Sequence, residues 1–99
     1  MITLAIIFPC YNESEIILHS IAVANNYLKK LKEKEIVSKK SFLLIVDDGS
    51  NDSSWEIISK LPERPRAIKL NKNYGHQIAI YAGIEESFNH CDVSITMDI

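Results

Sequence analysis

Glycine is scarce in this chain. There are three in 99 residues, and none falls in the turn that follows the first apolar run, Phe8-Pro9-Cys10-Tyr11-Asn12-Glu13. A dinucleotide-binding turn needs glycine there so that the backbone can approach a pyrophosphate, which argues against a nicotinamide or flavin dehydrogenase. A Walker loop is absent as well. The two cysteines, Cys10 and Cys91, are too few and too far apart for a zinc site or a redox motif. Each lies beside an expected strand, so free buried thiols in a reducing compartment are the expectation. A basic excess is also missing: the formal charge is −2, which argues against a nucleic-acid-binding surface. The only basic cluster, Lys29, Lys30, Lys32, Lys34, Lys39 and Lys40, is interleaved with Glu33 and Glu35. It reads as a solvated helix end whose lysines complement the dipole, with weak attraction to an anionic membrane surface as the alternative. No apolar run reaches the roughly 18 residues of a membrane span. The run from Ile2 to Phe8 lacks the basic flank and small-residue cleavage site of a signal peptide. Internal repeats and low-complexity tracts are absent too.

What remains is the composition of one soluble α/β domain, or part of one, at the small end for a sheet covered on both faces. Ile2 to Phe8 reads as a buried strand ended by Pro9, which has no amide hydrogen to donate. Asn12 and Glu15 have capping-box spacing. Behind them Ile17, Ile21, Ala24, Leu28 and Leu31 form one apolar stripe of a helix. Phe42-Leu43-Leu44-Ile45-Val46 is an unbroken apolar run, the pattern of a central parallel strand. Ser53 and Glu56 again fit a capping box, and Trp55, Ile58 and Leu61 give a short helix stopped near Pro62 and Pro65. Arg66 to Leu70 alternates like a strand nearer the sheet edge. After the turn cluster Asn71 to Gly75, a third helix is expected to point Ile78, Tyr81, Ala82, Ile84 and Phe88 inward. Val93, Ile95 and Met97 complete a fourth strand running into Asp98.

The order βαβαβαβ, without a hairpin signal, implies right-handed crossovers and a mainly parallel sheet with helices on both faces. Strand order 3-2-1-4 would put the switch point between strands one and four, where ligands bind beyond the carboxyl ends. Pro9 to Glu13, the adjacent acids Asp47 and Asp48, and Asp98 would then meet in one crevice. Tyr11 could stack on a base, and Asp47 or Asp48 could accept hydrogen bonds from a base imide or ribose hydroxyls. Carboxylates repel bare phosphate, so a diphosphate here would need a divalent cation. Asp98 is a hard oxygen ligand of the kind magnesium or manganese prefers, though one carboxylate does not make a metal site. For the acid pair the bland reading is a turn or helix-dipole role for one member. Asp52 reads as a helix cap, His76 either faces the crevice or covers its turn, and His19 and His90 read as surface residues.

Four motifs carry a resemblance: Phe8 to Glu13, Val46 to Asp52, Asn73-Tyr74-Gly75-His76-Gln77, and Ile95-Thr96-Met97-Asp98. In that order they resemble the N-terminal half of an inverting, GT-A fold glycosyltransferase of the large second family, over essentially all of residues 1–99. The nearest likeness is to polyprenyl-phosphate sugar transferases, the group acting on dolichyl and undecaprenyl phosphate. The resemblance implies a Rossmann-like nucleotide-sugar-binding portion. Pro9, Tyr11 and Glu13 would line the nucleoside pocket, and Asp47 or Asp48 would contact base and ribose. Asp98 matches the first acid of an Asp-x-Asp motif, whose acids hold Mg2+ or Mn2+ and the donor diphosphate. Cys10 departs from the small β-branched residue often found there. The second acid, the catalytic base and the acceptor region would lie beyond Ile99, so the resemblance implies a piece of a longer protein, carrying no catalytic residue of its own. The implied partners are a nucleotide-sugar donor and a lipid-phosphate or glycan acceptor, and no nucleic acid. The longer protein would be cytoplasmic, or held at the cytoplasmic face of a membrane by C-terminal helices. Two rivals come from other classes. A receiver-type signalling module would need its acid pair after the first strand and an aspartate after the third, where Cys10-Tyr11 and Asn71-Lys72 stand. A non-catalytic nucleotide-binding or scaffold domain of the same fold is the stronger alternative.

Overall fold

Strand β1 (Leu4–Cys10) is buried along its whole length, and strand β2 (Phe42–Asp47) along all but its first residue, as two central strands of a covered parallel sheet should be. The computed structural model describes residues 1–61 and 66–98. Pro62 and Pro65, the expected stop of the second helix, lie outside the described residues, as does Ile99. Strands β3 (Arg66–Lys69) and β4 (Val93–Thr96) complete a four-stranded sheet of order β3-β2-β1-β4. Every pairing is parallel, with Ala5 opposite Phe42, Leu44 opposite Arg66, and Leu4 opposite Val93 at the start of each ladder. The expected topology and strand order are those observed.

Three helices connect the strands: α1 (Ile17–Glu33), α2 (Ser54–Ser59) and α3 (His76–Ser87). Strand side chains alternate between two cores, as the pleat requires. Leu4, Ile6 and Phe8 of β1 join Leu43 and Ile45 of β2 beneath α1 and α2, while Ile7, Leu44 and Val46 face α3. The α1 stripe falls as expected: Ile17, Ile21, Ala24 and Leu28 are buried, and Leu31 packs at the edge. Each of its large side chains removed from water contributes about 1.5–3 kcal/mol. Lys30 and Lys32 lie in the last turn of α1, where cations offset the helix dipole.

Four local expectations need correction. First, β1 does not end before Pro9 but runs through it, Pro9 pairing with Val46. The Cys10 carbonyl accepts the Asp48 amide on the β2 side, so the backbone of Pro9 faces the β4 side. There the ladder has already ended at Ile7 opposite Thr96, and the missing N–H leaves no bond unmade.

Second and third, neither capping box forms. α1 begins after Ile16 and α2 after Ser53, without side-chain caps, and Asn12 instead takes a left-handed conformation with φ of 53°.

Fourth, α3 turns its bulky residues outward. Ile78, Tyr81, Ile84 and Phe88 are exposed, while Ala79, Gly83 and Ser87 are buried against the sheet with Ala82 beside them. A Cβ on Gly83 would sit 2.6 Å from Ile7 Cγ2 and 3.1 Å from Val46 Cγ2. The helix lies so close to β1 and β2 that only small residues fit between.

Candidate active site

At the carboxyl ends of β1, β2 and β4 lies a crevice of about 570 Å³. Pro9, Cys10, Tyr11 and Glu13 form one wall, Asn73, Gly75 and His76 the other, with Asp48 and Asp98 between them. Strand order creates this gap, because β1 is followed on one side by β2 and on the other by β4. Five of the six residues expected at the site are therefore brought together.

The sixth, Asp47, lies behind the crevice with none of its surface exposed. Its carboxylate accepts the Ser50 amide at 3.1 Å and the Ser50 hydroxyl at 2.7 Å. Asp48 is nearly as buried, and three donors converge on it. Its Oδ1 accepts the Tyr74 amide at 2.9 Å, and its Oδ2 accepts the Gly75 amide and the Asn73 side-chain amide, both at 3.0 Å. The two adjacent acids thus face opposite ways, one toward its own turn and one toward the loop before α3. Gly49, which follows them with φ of +68°, lies directly against the Lys72–Asn73 backbone, where a Cβ would come within 2.3 Å.

The wall carrying Tyr11 is laced to the turn after β2. Asn12 Oδ1 accepts the amides of Asn51 at 2.8 Å and Asp52 at 3.3 Å. In return the Asn12 amide donates to Ser50 Oγ, the Glu13 amide to Ser54 Oγ and the Ser14 amide to Asp52 Oδ2. Asp52 also accepts the Ser54 amide at 2.9 Å, a local turn bond made from the residue before Ser53, so it is not the helix cap expected of it. Hydrogen bonds from the Ser54 side chain, and then from the Ser54 and Ser14 amides, draw the Asp52 pKa down to about 2. Burial, the nearby charge of Asp47 and that of Glu13 push the Cys10 thiol up to about 11. Cys10 is thus an inert part of the wall at neutral pH. Both cysteines are free; Cys10 is buried as expected, whereas Cys91 is only half-buried.

Tyr11 is 41% exposed and open to a flat ligand, and Asp98 stands free at the rim, 3.7 Å from His76 Nε2. His76 faces the crevice, which the sequence left undecided. Asn73 and Gly75 also line it, and the signal for them was the turn cluster at the end of the third strand. Among the described residues no three His, Cys, Asp or Glu side chains converge as a metal site. Asp48 is tied to the loop through both oxygens, and the donor side chains seen close together at the rim are Asp98 and His76, a pair and not a full ligand set. The residues present therefore do not fit a complete divalent-cation site.

A second cleft of about 410 Å³ opens at the opposite end of the sheet, between Trp55, Arg66 and His90. Arg66 lies over the Phe42 ring there at 4.0 Å. It sits beside the amino ends of β2 and β3, away from the strand ends where parallel sheets take ligands.

Fold and crevice together define a Rossmann-like, all-parallel α/β sheet with a cleft at its strand ends, and comparison with known proteins gives its family. The model of Glycosyl transferase family 2 matches residues 5–98, and the chain belongs to that family. It is 34% identical over 98 residues to the uncharacterized glycosyltransferase YkoT of Bacillus subtilis (strain 168), covering 96% of this chain and 29% of the relative. The undecaprenyl-phosphate 4-deoxy-4-formamido-L-arabinose transferase of Edwardsiella ictaluri (strain 93-146) is 36% identical over 104 residues, covering 95% of this chain and 28% of the relative. YkcC of Bacillus subtilis (strain 168), another uncharacterized glycosyltransferase, is 36% identical over 99 residues, covering 96% and 28%. The chain spans less than a third of the length of these relatives.

Proposed function

We propose that this chain forms the donor-nucleotide portion of a glycosyltransferase that moves a sugar from a nucleotide-sugar to an acceptor with inversion. The observation that carries the reading is the crevice at the ends of β1, β2 and β4, of the size a small-molecule site requires. Tyr11 offers an aromatic face for the base, Pro9 a rigid apolar floor, and Glu13 an acceptor for ribose hydroxyls. Asp98 lies where the diphosphate and sugar would extend toward the rim. Its carboxylate is a hard ligand for Mg2+ or Mn2+, and the other ligands of such an ion would come from the donor and from further parts of the protein.

In the transfer, an acceptor oxygen forms a bond to the anomeric carbon as that carbon's bond to the diphosphate breaks, and the nucleoside diphosphate leaves with the electron pair. A hydroxyl acceptor gives its proton to a base, whereas an ionised phosphate acceptor needs none. The acceptor class is an undecaprenyl-phosphate-type lipid, by similarity to the Edwardsiella ictaluri transferase named for that acceptor. No helix among the described residues is long and apolar enough to cross a membrane. The reaction would take place at the cytoplasmic face of the membrane. The 99-residue chain by itself is expected to bind nucleotide weakly without turnover.

Calorimetric titration of the chain with UDP and GDP, with and without Mn2+, tests this. Saturable binding of at least one nucleotide is expected, weakened roughly tenfold by Tyr11→Ala through loss of base stacking. Absence of binding in all four titrations, or binding indifferent to Tyr11→Ala, would overturn it.

A further inference from the structure

We propose that Asn12 is a positioning residue: it clamps the β1–α1 turn to the β2–α2 turn and so sets where the Tyr11 ring stands in the crevice. Its effect on nucleotide binding rests on the donor-site reading above, and the clamp itself on hydrogen bonds. Tyr11 and Glu13 line the crevice, whereas Asn12 between them does not. Regular pairing of β1 with β2 ends at Cys10 opposite Asp47, closed by the Asp48 amide on the Cys10 carbonyl at 2.8 Å. Past that point the bonds joining the two turns run through side chains. Glu13 and Ser14 reach across by donating their amides to Ser54 Oγ and Asp52 Oδ2. Asn12 also accepts: its amide donates to Ser50 Oγ at 2.9 Å while its Oδ1 takes the amides of Asn51 and Asp52. Tyr11 is thereby held between two fixed points, the Cys10 carbonyl and the Asn12 clamp.

Two demands fall on position 12. Its φ of 53° is left-handed, a region that asparagine and aspartate tolerate and that costs glycine nothing. Its side chain must also be short and carry an acceptor that meets two consecutive amides. Glycine satisfies the first demand alone, alanine neither, and aspartate both. The two amides belong to the turn that leaves β2 at Asp47 and Asp48. Asn12 thus fixes the Tyr11 ring relative to the acidic end of β2, and a nucleoside in the crevice would lie between them.

Titration of the 99-residue chain with UDP and GDP, combined with residue-resolved amide exchange, tests the clamp. Asn12→Gly is expected to weaken both nucleotides roughly tenfold, about the worth of one hydrogen bond. Exchange of the Asn51 and Asp52 amides should quicken by a similar factor of roughly ten. Asn12→Asp, which keeps the conformation and the acceptor, should restore most of the affinity and slow both amides again. In a Tyr11→Ala background Asn12→Gly should cost little more, because its effect passes through the ring. Equal losses in both backgrounds, or no rescue by aspartate, would overturn the proposal. Should Asn12→Gly not fold, the unaltered chain decides. Saturation with UDP should slow Asn51 and Asp52 exchange, because a ligand that holds the ring also holds the clamp, and unchanged exchange counts against it. If the unaltered chain binds neither nucleotide, the donor-site reading fails, while exchange at Asn51 and Asp52 still decides whether Asn12 joins the turns.

Discussion

At the scale of single residues, the chemistry of the crevice depends on who donates to whom. Asp52 is the clearest case. Its pKa in the folded chain is about 2, against an ordinary 3.8, because Ser54 and Ser14 donate to the ionised carboxylate. A depressed carboxylate pKa adds stability that is fully present above the unfolded value and is lost as pH falls through the folded one. The window is thus about pH 4 down to 2. Asp52→Asn should lower the melting temperature at pH 6 and flatten its fall across that window, as followed by circular dichroism. The side chain is exposed, so the effect is expected to be small and reduced by salt.

Asn12 and Ser53 explain why local spacing misled at this scale. Both stand three residues before a glutamate, and the spacing alone cannot say that Asn12 is needed some forty residues away. The acid pair was legible as a strand-end feature, but its two directions were not. They are set by Ser50 on one side and by the Asn73 side chain with the Tyr74 and Gly75 amides on the other, and the second contact spans two elements.

At the scale of elements, the reading of β1, β2 and α1 held because each buries large apolar side chains in a pattern that sequence displays. α3 reverses this. Its sheet-facing positions are Ala79, Gly83 and Ser87, and its large residues point away. A search for bulky inward residues selects the wrong face whenever close backbone approach, rather than side-chain volume, makes the contact. Gly83→Ala tests the point. The added methyl meets the branched Cγ2 of buried Ile7, which has no flexible end to move aside. Overpacking of this kind costs about 1–3 kcal/mol, and the better helix propensity of alanine returns up to about 1 kcal/mol. A net loss is expected, read as a lower urea midpoint with an unchanged slope. An unchanged or higher midpoint would show that α3 can lift from the sheet at no cost.

At the scale of the whole molecule, α3 turns large apolar side chains outward. Tyr81 and Phe88 are 64% and 73% exposed, with Ile78 and Ile84 beside them. Contiguous apolar surface of this kind promotes association. Replacing both Tyr81 and Phe88 by lysine should raise the concentration at which the 99-residue chain stays monodisperse in light scattering. The urea midpoint should stay within about 0.5 kcal/mol of the original, because neither side chain packs in a core.

Strand order has one more effect, on the sequence of events as the chain is made. β1 is central, yet its second neighbour is β4, and the Thr3 amide meets Asp92 across 89 residues. Of the four strands described, the earliest made is therefore enclosed only when the latest is. Until Val93–Thr96 has emerged, the strongly apolar Leu4–Cys10 segment keeps one open hydrogen-bonding edge. Such an edge can recruit another strand. For a new chain of this topology, the interval between synthesis of its second and fourth strands is a period of exposure to misassembly.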